Sequence, residues 1–162
     1  MSSPRRPASS PIPTCRCRCP EGGCPVDDIE AIKQLKARYF RTMDTKDWDG
    51  MRTVFTDGVV IDTTESGGPA IAGADEFVAF LRDTLSGAIT THHGHMPEID
   101  VTSATTATGI WALHDVIKWP GGTRMEGSGH YHETYEKVDG SWRIASSTLT
   151  RLYMDVTPPA GG

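Results

Sequence analysis

Thr105-Thr106-Ala107-Thr108-Gly109-Ile110-Trp111-Ala112-Leu113-His114-Asp115-Val116-Ile117-Lys118-Trp119 has the alternation of a strand with one face buried. That face carries Trp111, Leu113, Asp115, Ile117 and Trp119. A single carboxylate among two indoles and two aliphatics is not a solvated surface. Burying it without partners costs several kcal/mol. Asp115 is therefore expected to be paired, for structure or for chemistry, or to hold a proton at a raised pKa.

Working outward, further strands are expected around 91–101, 129–138 and 142–153, with hairpin turns at Pro120-Gly121-Gly122 and Asp139-Gly140. Upstream the period changes to helical. After Val26, either Asp27 or Asp28 is a credible N-cap, and Ile29, Ile32, Leu35 (with Lys36), Tyr39, Phe40 and Met43 follow on one face. Asp47 is placed to cap a short second helix carrying Trp48, Met51, Val54 and Phe55. Asp57-Gly58 reads as a turn and Val59 to Thr64 as a strand, broken by Ser66-Gly67-Gly68-Pro69. A third helix opens at Gly73-Ala74-Asp75 and carries Phe77, Phe80, Leu81 and Leu85. Helices gathered at one end and strands at the other define an α+β fold. The expected form is a strongly bent antiparallel or mixed sheet, with three helices covering a cone-shaped hydrophobic cavity.

The 162 residues suit one domain, expected over 27–156 and flanked by a flexible tail at 157–162. Residues 1–26, rich in Pro, Ser, Arg, Cys and Gly, read as a disordered extension. All four cysteines (Cys15, Cys17, Cys19 and Cys24) fall there, without the paired C-x2-C knuckles of a zinc ribbon. A net charge of −5 argues against nucleic acid. No apolar run is long enough for a membrane span, and no apolar stretch follows the N-terminal arginines as in a secretory signal. The expectation is a soluble cytoplasmic protein.

Three of the six histidines fall in Thr91-His92-His93-Gly94-His95. Imidazole titrates nearest neutrality, so a histidine beside a carboxylate in a half-apolar pocket is a natural proton shuttle. Metal binding and a purely structural role are the competing readings. On a regular strand His92 faces one way and His93 and His95 the other, although Gly94 and Pro97 can change that parity. Arg151 shares a face with Leu149 and Tyr153, where it meets a carboxylate or a substrate oxygen, or lies flat at a sheet edge. Tyr131 and Tyr135 alternate with His130, His132 and Thr134, and either face could line a cavity. Tyr39 stands among aliphatics, where a phenol needs a partner. No metal-ligand signature, nucleophile elbow, phosphate loop or dinucleotide fingerprint is present. What remains is proton transfer by His, Asp and Tyr without cofactor or metal.

The run from Asp28 to Asp44 resembles the opening helix of the SnoaL-like branch of the nuclear-transport-factor-2-like superfamily, and more narrowly the bile acid 7α-dehydratase group. His92-His93-Gly94-His95-Met96-Pro97-Glu98-Ile99, Thr105 to Trp111 and Tyr135 to Trp142 strengthen the likeness, which covers roughly 27–155. The resemblance implies functional positions at Tyr39, Asp44, His92, Asp115 and Arg151; Asp44 enters only through it. A tyrosine that the family carries near the first strand is replaced here by Thr63 or Asp62. His95, Trp111 and Tyr131 are the candidate substrate contacts. The implied activity is a cofactor-independent dehydratase acting on a hydrophobic, polycyclic, steroid-like hydroxy-ketone. In that scheme His92 is the base, Asp44 orients it, Tyr39 is a hydrogen-bond donor, Asp115 supplies or relays the leaving group's proton, and Arg151 holds Asp115 or a substrate oxygen. An isomerase, cyclase or dehydrohalogenase, or a non-catalytic binding module, are the alternatives. The superfamily's habit of pairing outer sheet faces implies a homodimer.

Overall fold

A computed structural model describes residues 25–159. The cysteine cluster and most of the N-terminal extension lie outside the described residues. Helix α1 (Pro25–Thr45) starts earlier than its expected aspartate cap, with proline in the first turn, where its missing N–H costs nothing. Asp28 is thus inside the helix rather than its cap. Its carboxylate accepts from Lys137 Nζ at 2.6 Å and Trp142 Nε1 at 2.9 Å, which ties the start of α1 to the last hairpin. Ile32, Leu35, Tyr39, Phe40 and Met43 are buried, as their spacing requires.

Asp47 caps α2 (Trp48–Arg52), accepting from the Gly50 N–H at 2.9 Å. Val54 and Phe55 fall beyond that helix, because strand β1 begins at once (Phe55–Asp62). Asp57-Gly58 is not a turn: the pairing register slips between Phe55 and Val60, so both residues sit inside β1 as an irregularity. A 3-10 turn (Thr64–Ser66), a short strand β2 (Ala70–Ala72) that carries too few residues to show a period, and α3 (Ala74–Leu85) follow. Four long strands complete the described residues: β3 (Ile89–Val101), β4 (Thr106–Lys118), β5 (Arg124–Val138) and β6 (Ser141–Thr157). The sheet order is β2-β1-β6-β5-β4-β3. Only the β1–β6 pairing is parallel, so the sheet is mixed and the architecture is α+β as expected. Asp139 and Gly140, both at positive φ (50° and 76°), make the two-residue turn between β5 and β6.

Register shifts at His95/Glu98, Ser128/Gly129 and Thr134/Tyr135 bend the long strands. Helices α1 and α3 close the open side of the bent sheet. Where α1 comes down on β3, Gly94 makes room: a Cβ there would stand 2.6 Å from Phe40 Cε2 and 3.4 Å from Trp111 Cε3.

Below that point lies a buried ion pair. Lys36, with no exposed surface, donates to Glu133 Oε1 at 2.5 Å. Ser147 Oγ donates to the same oxygen at 3.1 Å and Tyr135 Oη to Oε2 at 2.5 Å. Trp111 Nε1 in turn donates to Tyr135 Oη at 2.8 Å. No buried side-chain polar atom among the described residues lacks a partner, as a dry core demands.

Lys36→Met removes the counter-charge of Glu133 and is expected to cost about 3–5 kcal/mol. Gly94→Ala, which must displace Phe40, is expected to cost about 1–3 kcal/mol. Urea midpoints at unchanged slope measure both. A Lys36→Met midpoint equal to wild type would mean the pair carries no charge.

Candidate active site

The cone encloses a cavity of about 570 Å³ with predominantly apolar walls, including Met43, Ile61, Phe77, Phe80, Ile117 and Leu149. Among the polar groups that line it, Tyr39 projects from α1, His92 from β3, Asp115 from β4, Tyr131 from β5 and Arg151 from β6. Asp44, also on α1, does not line the cavity and meets it through His92.

Asp44 sits in the last turn of α1, against the negative end of the helix dipole, and three donors offset that cost. The His92 backbone N–H reaches Oδ2 at 2.9 Å, while Thr90 Oγ1 (2.8 Å) and His92 Nδ1 (2.7 Å) reach Oδ1. Partial burial works against the charge, but the His92 and Thr90 hydrogen bonds hold Asp44 below the usual carboxylate range. The contact commits Nδ1–H to Asp44 and leaves Nε2 as the ring's free nitrogen. Lys46, at φ 61° just past the helix end, supports the clamp by donating to Thr90 Oγ1 at 2.7 Å.

His92 pairs directly with Asp115 across β3 and β4, which puts both on the inner face. Asp115 is paired, as its surroundings required: Arg151 Nη1 and Nη2 donate to its two oxygens at 2.7 and 2.9 Å. To reach Asp115 the guanidinium crosses β5 at Gly127, where a Cβ would stand 2.7 Å from Nη1. Burial disfavours the arginine's charge, yet Asp115 raises its pKa above the ordinary value. Arg151 also pins the segment over the cavity mouth. Its Nε donates to Ser66 Oγ at 2.8 Å and its backbone N–H to Glu65 Oε2 at 2.7 Å.

Tyr39 and Tyr131 meet edge to face at 5.9 Å. Burial pushes both phenols well above their ordinary pKa, with Glu133 adding to the rise at Tyr39 and the neighbouring Tyr39 at Tyr131. Both are therefore neutral donors at physiological pH. Thr63 and Asp62 line the mouth but spend their oxygens within the turn, Thr63 Oγ1 on Pro69 O and Asp62 Oδ1 on Thr64. The cavity's phenols are Tyr39 and Tyr131.

Two expected substrate contacts lie elsewhere. His95 is exposed on the outer face, stacked on His93 at 6.2 Å. The bulge falls after His95, between it and Glu98, so the strand's parity is intact from His92 and puts His95 outside. Trp111 faces inward but is buried at the narrow end on Tyr135, below the cavity rather than on its wall. The third candidate, Tyr131, does line it, which settles the orientation of β5: Tyr131, Glu133 and Tyr135 point in, His130 and His132 out. Lys36, Glu133, Thr90, Lys46 and Gly127 were not anticipated. Two of them left a trace: Lys36 lies on the apolar face of α1, and Glu133 alternates with two tyrosines.

Related proteins bear on this arrangement. A protein from Gibberella zeae assigned as a cyclase is 28% identical over 134 residues, 75% of this chain and 89% of its own. A protein assigned as a scytalone dehydratase from Novosphingobium aromaticivorans superposes with TM-score 0.72 at 19% identity, over 85% of this chain and 96% of that one. The LinA-type3 hexachlorocyclohexane dehydrochlorinase from Novosphingobium barchaimii gives TM-score 0.72 at 16% identity, over 82% and 92%. At such identities the two structures speak for the fold alone. The SnoaL-like domain model matches residues 25–148; the chain belongs to the SnoaL-like family, within the nuclear-transport-factor-2-like superfamily.

Proposed function

We propose that the protein is a cofactor-independent lyase that removes water from a hydrophobic, polycyclic, steroid-like hydroxy-ketone. One observation carries this reading: a histidine clamped through Nδ1 by Asp44 at 2.7 Å, beside an apolar cavity it shares with two protonated phenols.

His92 Nε2 takes the C–H proton next to the ketone, and the C–H electron pair moves to the carbonyl oxygen as an enolate. Tyr39 and Tyr131 donate to that oxygen, which is where charge develops. Asp44 stabilises the imidazolium as it forms. Collapse of the enolate expels the β-hydroxyl, which leaves as water by taking the imidazolium proton. His92 is thereby restored without an outside acid. Asp115, with both oxygens accepting from Arg151, anchors the guanidinium that holds the mouth segment.

A second reading, dehydrohalogenation, uses the same base and cavity, and a halide leaves without needing a proton. Product mass separates the two, one losing water and the other a hydrogen halide.

On a substrate found by turnover screening, His92→Ala is expected to lower kcat by about 10²- to 10⁴-fold with the circular dichroism unchanged. Unaltered turnover would exclude His92 as the base. Asp44 is held below the carboxylate range. Its contribution to stability is therefore complete above its unfolded pKa of about 3.9 and is lost as pH falls through the folded value. The stability gap between wild type and Asp44→Asn should be full at pH about 6 and close towards pH about 2. A gap independent of pH in urea titrations would mean that Asp44 bears no charge on His92.

A further inference from the structure

The Lys36–Glu133 pair takes no part in the proton transfer proposed above, and neither residue lines the cavity. Stability does not call for it either. A buried ion pair is commonly no better than apolar side chains of equal volume, and this one needs Ser147, Tyr135 and Trp111 to satisfy it. Its position relative to the phenols is specific. Lys36 Nζ stands 3.6 Å from the ring centroid of Tyr131 and 4.2 Å from that of Tyr39. The ammonium thus touches the π faces of the two donors to the enolate. Glu133 makes its hydrogen bonds behind it, to Lys36, Ser147 and Tyr135.

We infer that Lys36 is a positioning residue that polarises both cavity phenols, so that Tyr39 and Tyr131 stabilise negative charge on a bound oxygen more strongly than unassisted phenols would. This inference rests on the reading of those phenols as the oxyanion donors. A cation on a ring face is drawn there by the ring quadrupole and withdraws density from the attached oxygen, strengthening its O–H as a donor. With no exposed surface at Lys36, neither water nor salt screens the effect. Glu133 works in the opposite sense at both Tyr39 and Tyr131. The ammonium is in contact with both rings, while the carboxylate hydrogen-bonds to Tyr135 and Ser147. The pair divides the labour: burial lowers the Lys36 pKa, Glu133 works against that fall, and the lysine's charge acts on the cavity floor.

The test uses the full chain and 4-nitrophenol, whose anion absorbs visible light and whose neutral form does not, so that the ionisation of the bound probe is read directly. Wild type is expected to bind it saturably and to raise its acidity over that in water. Tyr39→Phe and Tyr131→Phe should each reduce that gain. Lys36→Met with Glu133→Gln removes both charges together, and it should lower the bound probe's ionisation constant by about tenfold, one pKa unit, with both tyrosines still present. Should that variant not fold, Lys36→Gln with Glu133→Gln keeps a hydrogen-bonded amide pair and carries the same expectation. If the charge-free pair ionises the probe as wild type does while the tyrosine variants do not, the inference about Lys36 fails and the oxyanion reading stands. If neither tyrosine variant changes the ionisation, or wild type does not bind the probe, the oxyanion reading fails and the role of Lys36 goes with it.

Discussion

The carboxylate of Asp44 joins the end of α1 to β3 through a backbone N–H, a threonine hydroxyl and an imidazole. That single group fixes how far the helix lies across the open side of the bent sheet. It also fixes the orientation and tautomer of His92. A helix C-terminus repels a carboxylate, so the arrangement holds only because all three donors converge. Fold closure and orientation of the imidazole are one interaction.

The cavity follows the same economy elsewhere. Arg151 binds Asp115 on one side and the mouth segment on the other, so the far wall and the entrance are set by one guanidinium. Two glycines make these approaches feasible. Gly94 admits Phe40 beneath α1, and Gly127 leaves a track for Arg151 across β5. Neither is at a turn; each is a place where another group must come close to the backbone. The floor is ordered by a third charged pair, Lys36 and Glu133, whose ammonium underlies both phenols.

Related proteins carry the names of a cyclase, a dehydratase and a dehydrochlorinase. Under the proton transfer proposed for this protein, the outcome depends on where the electron pair goes once the proton has been taken. In the proposed mechanism that is governed by the donors facing the nascent anion. The specificity question is therefore about the walls and mouth of the cavity rather than about the histidine.

Much of this could be read along the chain. The helical spacing from Ile32 to Met43 and the alternation through β4 gave the elements and their buried faces, because burial imposes period 3.6 or 2 on any chain that folds this way. Asp115 betrayed itself as a paired acid by its apolar neighbours. Other features left no local mark. The capping role expected of Asp27 or Asp28 gave way to a pairing of Asp28 with Lys137 and Trp142, more than a hundred positions away. His95 and Trp111 were expected as substrate contacts, but the position of one bulge puts His95 on the outer face and Trp111 is buried on Tyr135 beneath the cavity. The amino-acid sequence alone determined the elements, their faces and the isolated charges that had to find partners. Which partners they found, and which of them reached the cavity, was decided only when strands distant in sequence paired in register, since a hydrogen bond depends on distance in space and not on separation along the chain.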